Sequence, residues 1–176
     1  MSLDNPISTA VGEGNNILDI SKIFPFSLDP FQLEAINFLN QGHSVVVSAP
    51  TGSGKTLIGE YSIYRALAHG QKVLYTTPLK ALSNQKLRDF RQQFGANHVG
   101  LMTGDLSINR DASVIVMTTE IFRNMLYAAV DEHDDPLLDV ETVVLDECHY
   151  MNDSQRGTVW EESIIHCPSP IQLVAL

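Results

Sequence analysis

The chain has 176 residues, of which 44% are hydrophobic, and it carries a formal net charge of −10. This length suits one domain with a sizeable core, and the acidic balance argues against wrapping of duplex nucleic acid around a broad basic face. The sequence has no apolar run long enough to cross a membrane, and residues 1–16 lack the basic and apolar regions of a signal peptide.

Hydrophobic periodicity predicts a flexible lead over residues 1–22 and a single domain over residues 23–176, in which helices and strands alternate. Alternation of this kind predicts an α/β fold with a parallel sheet covered by helices on both faces, and ligands at the carboxyl ends of the strands. The predicted elements are helix 29–40, strand 44–49, helix 56–69, strand 72–76, helix 79–94, strands 99–102 and 113–117, helix 119–129, strand 142–145, helix 159–166 and strand 171–176.

The first segment with two interpretations is residues 26–32, Phe-Ser-Leu-Asp-Pro-Phe-Gln. Asp29 suits a helix N-cap, Pro30 suits the first helical position, and Gln32 completes a capping box. Capping leaves Phe26 unexplained, whereas an aromatic face and an amide are what an adenine ring needs. The spacing alone does not choose between these interpretations.

Residues 49–56, Ala-Pro-Thr-Gly-Ser-Gly-Lys-Thr, form a glycine-rich turn between a predicted strand and a predicted helix. Backbone N–H groups of such a turn can surround phosphate oxygens, its lysine can reach the outer phosphates, and its last hydroxyl can bind Mg²⁺. An ordinary strand–helix turn is the alternative, which the flanking elements disfavour. The predicted nucleotide-binding residues of the turn are Thr51, Gly52, Ser53, Gly54, Lys55 and Thr56.

Three further segments follow predicted strands and could each hold one phosphate of a single nucleic-acid strand. Small or polar residues and free N–H groups at a helix start suit phosphate oxygens. A solvated amphipathic helix is the alternative for the first segment, and the residues alone favour it. The candidate contacts are Pro78, Lys80 and Ala81 in the first segment, Gly104 and Asp105 in the second, and Thr118 and Thr119 in the third.

The predicted strand 142–145 ends in two acids, Asp146 and Glu147. With a phosphate-binding turn upstream, Asp146 could hold the shell of a metal ion shared with Thr56, and Glu147 could orient or deprotonate an attacking water. Asp146, Glu147 and Lys55 are therefore the predicted catalytic residues. A solvated strand end or a helix cap is the alternative interpretation of the two acids.

The remaining candidates are one histidine and the two cysteines of the chain. His149 could contact a neighbouring domain or could simply be packed. Cys148 and Cys167 match neither a disulfide framework nor a zinc pattern, so we expect two reduced thiols and no metal cluster. Together with the absence of a signal peptide, this predicts a cytoplasmic protein without a membrane partner, or an organellar one if the parent loses a transit peptide.

At this point the motifs, taken together, resemble the first RecA-like domain of superfamily 2 helicases with a DExH box, and within that group the Ski-type RNA helicases. The resemblance covers residues 23–176. The segments that carry it are Phe-x-Leu-Asp-Pro-Phe-Gln (26–32), Pro-Leu-Lys-Ala-Leu-Ser-Asn-Gln-Lys (78–86), Gly-Leu-Met-Thr-Gly-Asp (100–105), Met-Thr-Thr-Glu-Ile (117–121), Asp-Glu-Cys-His (146–149) and Arg-Gly-Thr-Val-Trp-Glu-Glu (156–162).

The resemblance implies an ATP-dependent RNA helicase motor with Mg²⁺, in which Phe26 stacks on adenine and Gln32 reads its edge. It implies that His149 couples the nucleotide state to a second RecA-like domain of the same parent chain, and that the candidate phosphate contacts line single-stranded RNA. Because residues 171–176 are a predicted strand that ends the sequence, we expect a fragment of that parent. A DNA helicase motor and a non-enzymatic nucleotide sensor are alternatives, although a sensor would not need Glu147.

Overall fold

The computed structural model describes residues 18–128, 136–152 and 157–176. Helices and strands alternate along most of the chain. The elements are α1 (Ile20–Ile23), α2 (Pro30–Asn40), β1 (Val45–Val46), α3 (Thr56–His69), β2 (Lys72–Thr77), α4 (Lys80–Phe94), β3 (Val99–Met102), β4 (Ser107–Ile108), β5 (Val114–Thr118), α5 (Thr119–Ala128), β6 (Val140–Leu145), a 3₁₀ helix (Cys148–Asn152), α6 (Gly157–Ile165) and β7 (Gln172–Ala175).

The strands form one seven-stranded sheet in the order β1-β7-β6-β2-β5-β3-β4. Each neighbouring pair is parallel except β3 and β4, which are antiparallel. The predicted α/β fold with a parallel sheet is therefore confirmed. The short antiparallel β4 was not predicted, because a two-residue strand has too few positions to show a periodicity.

Helices pack on both faces of the sheet, as the apolar strands predict. On one face, Tyr61 of α3 and Phe90 of α4 pack with Tyr75 of β2 in a buried cluster. On the other face, Phe122 of α5 and Trp160 of α6 belong to a second buried cluster. Central strands are thus covered on each side, and their parallel pairing places their carboxyl ends on the same side of the sheet.

The ends of helix α3 follow from its flanking glycines. Gly54 has a φ of +84°, which lets the chain turn sharply into the helix, and Gly70 ends it in the left-handed conformation with a φ of 69°. The predicted bounds 56–69 match the structure. Strand β1 is shorter than the predicted 44–49 because the chain leaves the sheet to build the glycine-rich turn. Val47 still donates its N–H to Ala175, at 2.8 Å.

The packed part of the chain begins earlier than residue 23. Leu18 is 4% exposed and belongs to the same cluster as Tyr61 and Tyr75, and helix α1 follows it. Residues 18–22 of the predicted lead are thus part of the folded unit, while residues 1–17 lie outside the described residues. Among the helices of the described ranges, none has the length and apolar character needed to cross a membrane.

Candidate nucleotide and nucleic-acid site

The glycine-rich turn and the two acids share one cleft at the carboxyl edge of the sheet. The turn follows β1 and the acids follow β6, and β7 lies between these two strands and runs parallel to both. Because parallel strands end at the same edge, residues about 90 positions apart in sequence become neighbours. The cleft has a volume of about 310 Å³ and is lined by Thr51, Gly52, Gly54, Lys55, Thr56, Asp146, Glu147 and Leu176.

The backbone of the glycine-rich turn has the shape of an anion cradle. Gly52 and Gly54 have φ values of +82° and +84°, which residues other than glycine rarely adopt. A Cβ atom on Gly54 would lie 2.7 Å from Nε2 of Gln32. Ser53 Oγ is buried, and it has no hydrogen-bond partner among the described residues. An unpaired buried hydroxyl in such a loop fits a bound phosphate.

The side chain of Lys55 folds back over this turn. Its ammonium donates a hydrogen bond to the carbonyl of Ala49, at 2.8 Å. The lysine therefore closes the loop across its first residue and holds a positive charge above the cradle. A phosphate would be in competition with the Ala49 carbonyl for this donor, and a charged acceptor makes the stronger hydrogen bond.

Asp146 is buried, with 8% of its surface exposed, and each carboxylate oxygen has a donor. Oδ1 accepts the N–H of Glu147 at 3.1 Å. Oδ2 accepts the hydroxyl of Tyr75 at 2.9 Å and lies 3.1 Å from the ammonium of Lys86. Burial, and then the charge of Asp146, raise the pKa of Tyr75 well above its usual value, so the tyrosine stays a donor. Sequence reasoning did not identify Tyr75 or Lys86 as part of this site.

Glu147 adopts an unusual backbone conformation, with a φ of 60°. A non-glycine residue in this region costs about 1–3 kcal/mol and is typical of functional sites. Its carboxylate is half-exposed, and Oε2 lies 3.2 Å from Nδ1 of His149. Burial raises the pKa of the intervening Cys148, which therefore remains a neutral thiol. The acid and the histidine can thus act as a pair at the mouth of the cleft.

The residues of the cleft fit a magnesium ion shared with nucleotide phosphates. The Thr56 hydroxyl and the Asp146 carboxylate are hard oxygen ligands lining the same cleft. In the described part of the chain, no group of three or more His, Cys, Asp or Glu residues could hold a metal without help. Mg²⁺ in nucleotide sites commonly uses one or two carboxylates together with substrate phosphates, which is the arrangement that these ligands allow.

Gln32 is tied to the glycine-rich turn, whereas Phe26 lies apart from it. The Gln32 amide is buried, accepts the N–H of Asp29 at 2.9 Å and donates to the carbonyl of Gly54 at 3.1 Å. It therefore acts as part of the capping box and as a contact to the turn. Phe26 is 58% exposed and lines a hollow separate from the cleft. The structure brings Gln32, but not Phe26, to the glycine-rich turn.

The candidate nucleic-acid contacts also lie at the carboxyl edge, because β2, β5 and β3 are adjacent. Lys80 and Asp105 form an exposed ion pair of 2.8 Å, and hydrogen bonding to Lys80 lowers the pKa of Asp105. Thr118 and Thr119 are buried, and the Thr119 hydroxyl donates to the Thr77 carbonyl at 3.2 Å. The candidate contacts therefore comprise one exposed ion pair and the buried junction between β5 and α5.

Comparison with known proteins gives matches along most of the chain. The family model described as DEAD/DEAH box helicase matches residues 29–176. The chloroplastic DExH-box ATP-dependent RNA helicase DExH15 of Arabidopsis thaliana is 52% identical over 93% of this chain and 14% of its own length. The antiviral helicase SKI2 of Saccharomyces cerevisiae is 49% identical over 89% of this chain and 12% of its own length. The probable helicase HelY of Mycobacterium tuberculosis H37Rv is 53% identical over 86% of this chain and 16% of its own length.

Solved structures of similar fold include two helicases. The Mycobacterium smegmatis helicase Lhr, bound to single-stranded DNA and AMP-PNP, superposes with a TM-score of 0.68 at 29% identity, over 89% of this chain and 23% of that one. The DUF1998 helicase MrfA, bound to DNA and AMPPNP, superposes with a TM-score of 0.69 at 19% identity, over 99% of this chain and 26% of that one. The chain spans 12% to 16% of the length of the relatives named above.

Proposed function

Because this chain belongs to the DEAD/DEAH box helicase family, as its motifs predicted, we propose that it is the nucleotide-binding motor domain of an ATP-dependent RNA helicase. The observation that carries the proposal is the shared cleft, in which the glycine-rich turn faces Asp146 and Glu147. In the parent protein, hydrolysis of ATP would drive movement along RNA or unwinding of it.

In this proposal the cleft holds the triphosphate and a magnesium ion. Lys55 would exchange the Ala49 carbonyl for the outer phosphates, and Thr56 and Asp146 would hold the ion. When bound, Mg²⁺ neutralises charge on the β- and γ-phosphate oxygens. Glu147 would accept the proton of the attacking water, which its half-exposed carboxylate can reach from the mouth of the cleft.

Adenine recognition is assigned to Gln32 and Phe26. A primary amide has two N–H donors and two acceptor positions, and the structure uses one of each within the protein. The remaining donor and acceptor of Gln32 match the donor and acceptor on the edge of adenine. Phe26 would stack on the ring only after moving from its present hollow.

The nucleic acid is proposed to be single-stranded RNA, lying along the edge formed by β2, β5 and β3. Two relatives that are about half identical, DExH15 and DExH9 of Arabidopsis thaliana, carry names of RNA helicases, which favours RNA. DNA is the second candidate, because the helicase Lhr, at 29% identity, binds single-stranded DNA. The contacts proposed for the backbone of the strand are Pro78, Lys80, Ala81, Gly104, Asp105, Thr118 and Thr119.

We further propose that this chain binds nucleotide but hydrolyses it slowly. Arginine residues supplied by a partner domain contribute about 10³–10⁵ in rate to NTPases with this kind of loop. A second RecA-like domain of the parent would supply them, and His149, exposed beside Glu147, would contact that domain. A pure nucleotide sensor remains the alternative from another functional class, although it would have no use for Glu147.

The deciding experiment measures phosphate release from ATP by this chain with single-stranded RNA, with single-stranded DNA and with neither. Affinity for a fluorescent ADP analogue is measured in parallel. Magnesium-dependent binding with slow release in all three conditions supports a motor domain that needs its partner. No nucleotide binding refutes the proposed site, and fast RNA-stimulated release refutes dependence on a second domain. The same measurement on the longer parent chain then compares the stimulation of phosphate release by RNA with that by DNA.

A further inference from the structure

The ammonium of Lys86 lies against Asp146 of the cleft, rather than on the exposed surface where the nucleic-acid contacts are proposed. Its Nζ is 3.1 Å from Asp146 Oδ2 and 3.1 Å from the Tyr75 hydroxyl, to which it donates. It also lies 5.1 Å from the centroid of the Tyr75 ring. The side chain is 17% exposed. A lysine in this setting has little freedom to serve as a solvated surface charge.

Three elements bring this cluster together. Tyr75 belongs to β2, Asp146 follows β6, and these two strands pair in register with Tyr75 opposite Val144. Lys86 reaches across from the second turn of α4, which packs over β2. The Tyr75 hydroxyl accepts from Lys86 and donates to Asp146, so the three side chains form a closed set of contacts.

The distribution of donors fixes the rotation of the Asp146 carboxylate. Each carboxylate oxygen can accept about two hydrogen bonds. Oδ2 receives both Tyr75 and Lys86, whereas within residues 18–128, 136–152 and 157–176 the one donor to Oδ1 is the N–H of Glu147. Oδ2 is therefore filled, and Oδ1 keeps an acceptor position for the shell of a metal ion. Without the two donors on Oδ2, the carboxylate could rotate and present either oxygen.

We propose that Lys86, acting with Tyr75, is a positioning residue that holds Asp146 ready for the magnesium of a bound nucleotide. The inference rests on the proposed function of Asp146 and adds a residue that does not itself touch the nucleotide. Groups that hold a metal ligand in place commonly change metal affinity by about 10–100-fold when they are removed. Lys86 is expected to act at the lower end of this range, because Tyr75 remains.

A different role for Lys86 predicts the opposite sign. If the ammonium only neutralised Asp146, its removal would leave the negative charge of the carboxylate uncompensated. Magnesium binding would then become stronger. Glu60 of α3 lies close enough for Lys86 to lower its pKa, although burial raises that pKa overall, so the lysine has a second carboxylate to neutralise. The two roles can therefore be separated by the direction of the change.

The test measures the affinity of this chain for a fluorescent ADP analogue, with saturating Mg²⁺ and with a chelator. The ratio of the two dissociation constants is the magnesium-linked gain. The variants are Lys86→Met, Lys86→Arg, Tyr75→Phe and Asp146→Asn. Arg88→Met is the matched control, since Arg88 is an exposed residue of the same helix and its loss changes net charge equally. Thermal melting of each variant establishes that it is folded.

Lys86→Met is expected to lower the magnesium-linked gain about tenfold, with Lys86→Arg and Arg88→Met within about twofold of the original. Tyr75→Phe should lower it by a smaller factor. An unchanged or increased gain in a folded Lys86→Met variant, together with a gain lost in Asp146→Asn, overturns the positioning role alone. A gain that is absent from the original chain, or unaffected by Asp146→Asn, overturns the proposed metal site and this inference with it.

Discussion

The cleft proposed for the nucleotide and the surface proposed for nucleic acid lie at the carboxyl ends of neighbouring strands but are built in opposite ways. Asp146, which lines the cleft, and Gln32, which contacts the glycine-rich turn, are both buried and hydrogen-bonded. On the edge, the charged pair Lys80–Asp105 is 56% and 69% exposed. Buried polar groups are fixed before a ligand arrives, whereas exposed ion pairs are weak and screened by salt.

The contrast predicts how strongly each region depends on single residues. A cleft that positions its ligands in advance loses much when one group is removed, because the neighbouring polar atoms are left unpaired. An edge that holds phosphates through exposed charges loses little per residue and depends on ionic strength. Substitutions in the two regions should therefore differ both in size and in salt dependence.

The largest effect is expected at Glu147. In the longer parent chain, Glu147→Gln should retain nucleotide binding and lower phosphate release by about 10²–10⁴-fold, because the amide cannot accept the proton of water. Steady-state phosphate release, with binding of the ADP analogue as the control, measures both quantities. Normal turnover in this variant would remove Glu147 from the role of base.

The next effect concerns the cradle of the glycine-rich turn. Lys55→Ala should weaken binding of magnesium–nucleotide by about 10–100-fold, since a hydrogen bond to a charged group contributes about 1.5–3 kcal/mol. The comparison uses the same titration, with Arg110→Ala as the control for loss of an exposed positive charge. Equal affinity in the Lys55→Ala and Arg110→Ala variants would contradict the phosphate assignment.

A smaller effect is expected where the cleft meets the helix α2. Gln32→Ala should reduce ATP affinity about three- to tenfold and should reduce the preference for ATP over GTP, because it removes the amide proposed to face the adenine edge. Competition of ATP and GTP against the fluorescent analogue measures the preference. If the affinities for both nucleotides fall equally, Gln32 supports the turn through Gly54 and does not read the base.

The smallest effect is expected on the exposed edge. Lys80→Ala should weaken binding of single-stranded RNA only a few-fold at low salt, and the loss should fade as salt is added. The slope of the logarithm of affinity against the logarithm of salt should become shallower by about 0.7, the value for one phosphate contact on a single strand. Arg110→Ala is again the control, and an unchanged slope in Lys80→Ala would exclude a phosphate contact.

Much of the fold could be predicted because local signals agree with tertiary packing. Helix α3 has a glycine turn before it, Gly70 after it and an apolar face between, so its predicted and observed bounds coincide. The predicted helix 159–166 begins at Gly157 in the structure, and the strand predicted at 142–145 begins at Val140. These bounds differ because caps, rather than periodicity, decide where an element begins and ends.

The α/β class, the glycine-rich turn and the paired acids could be derived from the sequence, because each depends on residues that are adjacent or regularly spaced along the chain. The contacts of Lys86 and Tyr75 with Asp146, and the contact of Gln32 rather than Phe26 with the turn, could be seen only in the folded protein. Tyr75 and Asp146 are 71 positions apart. Their contact depends on β6 pairing with β2, and strand order is set by packing of the whole sheet, which no local pattern records.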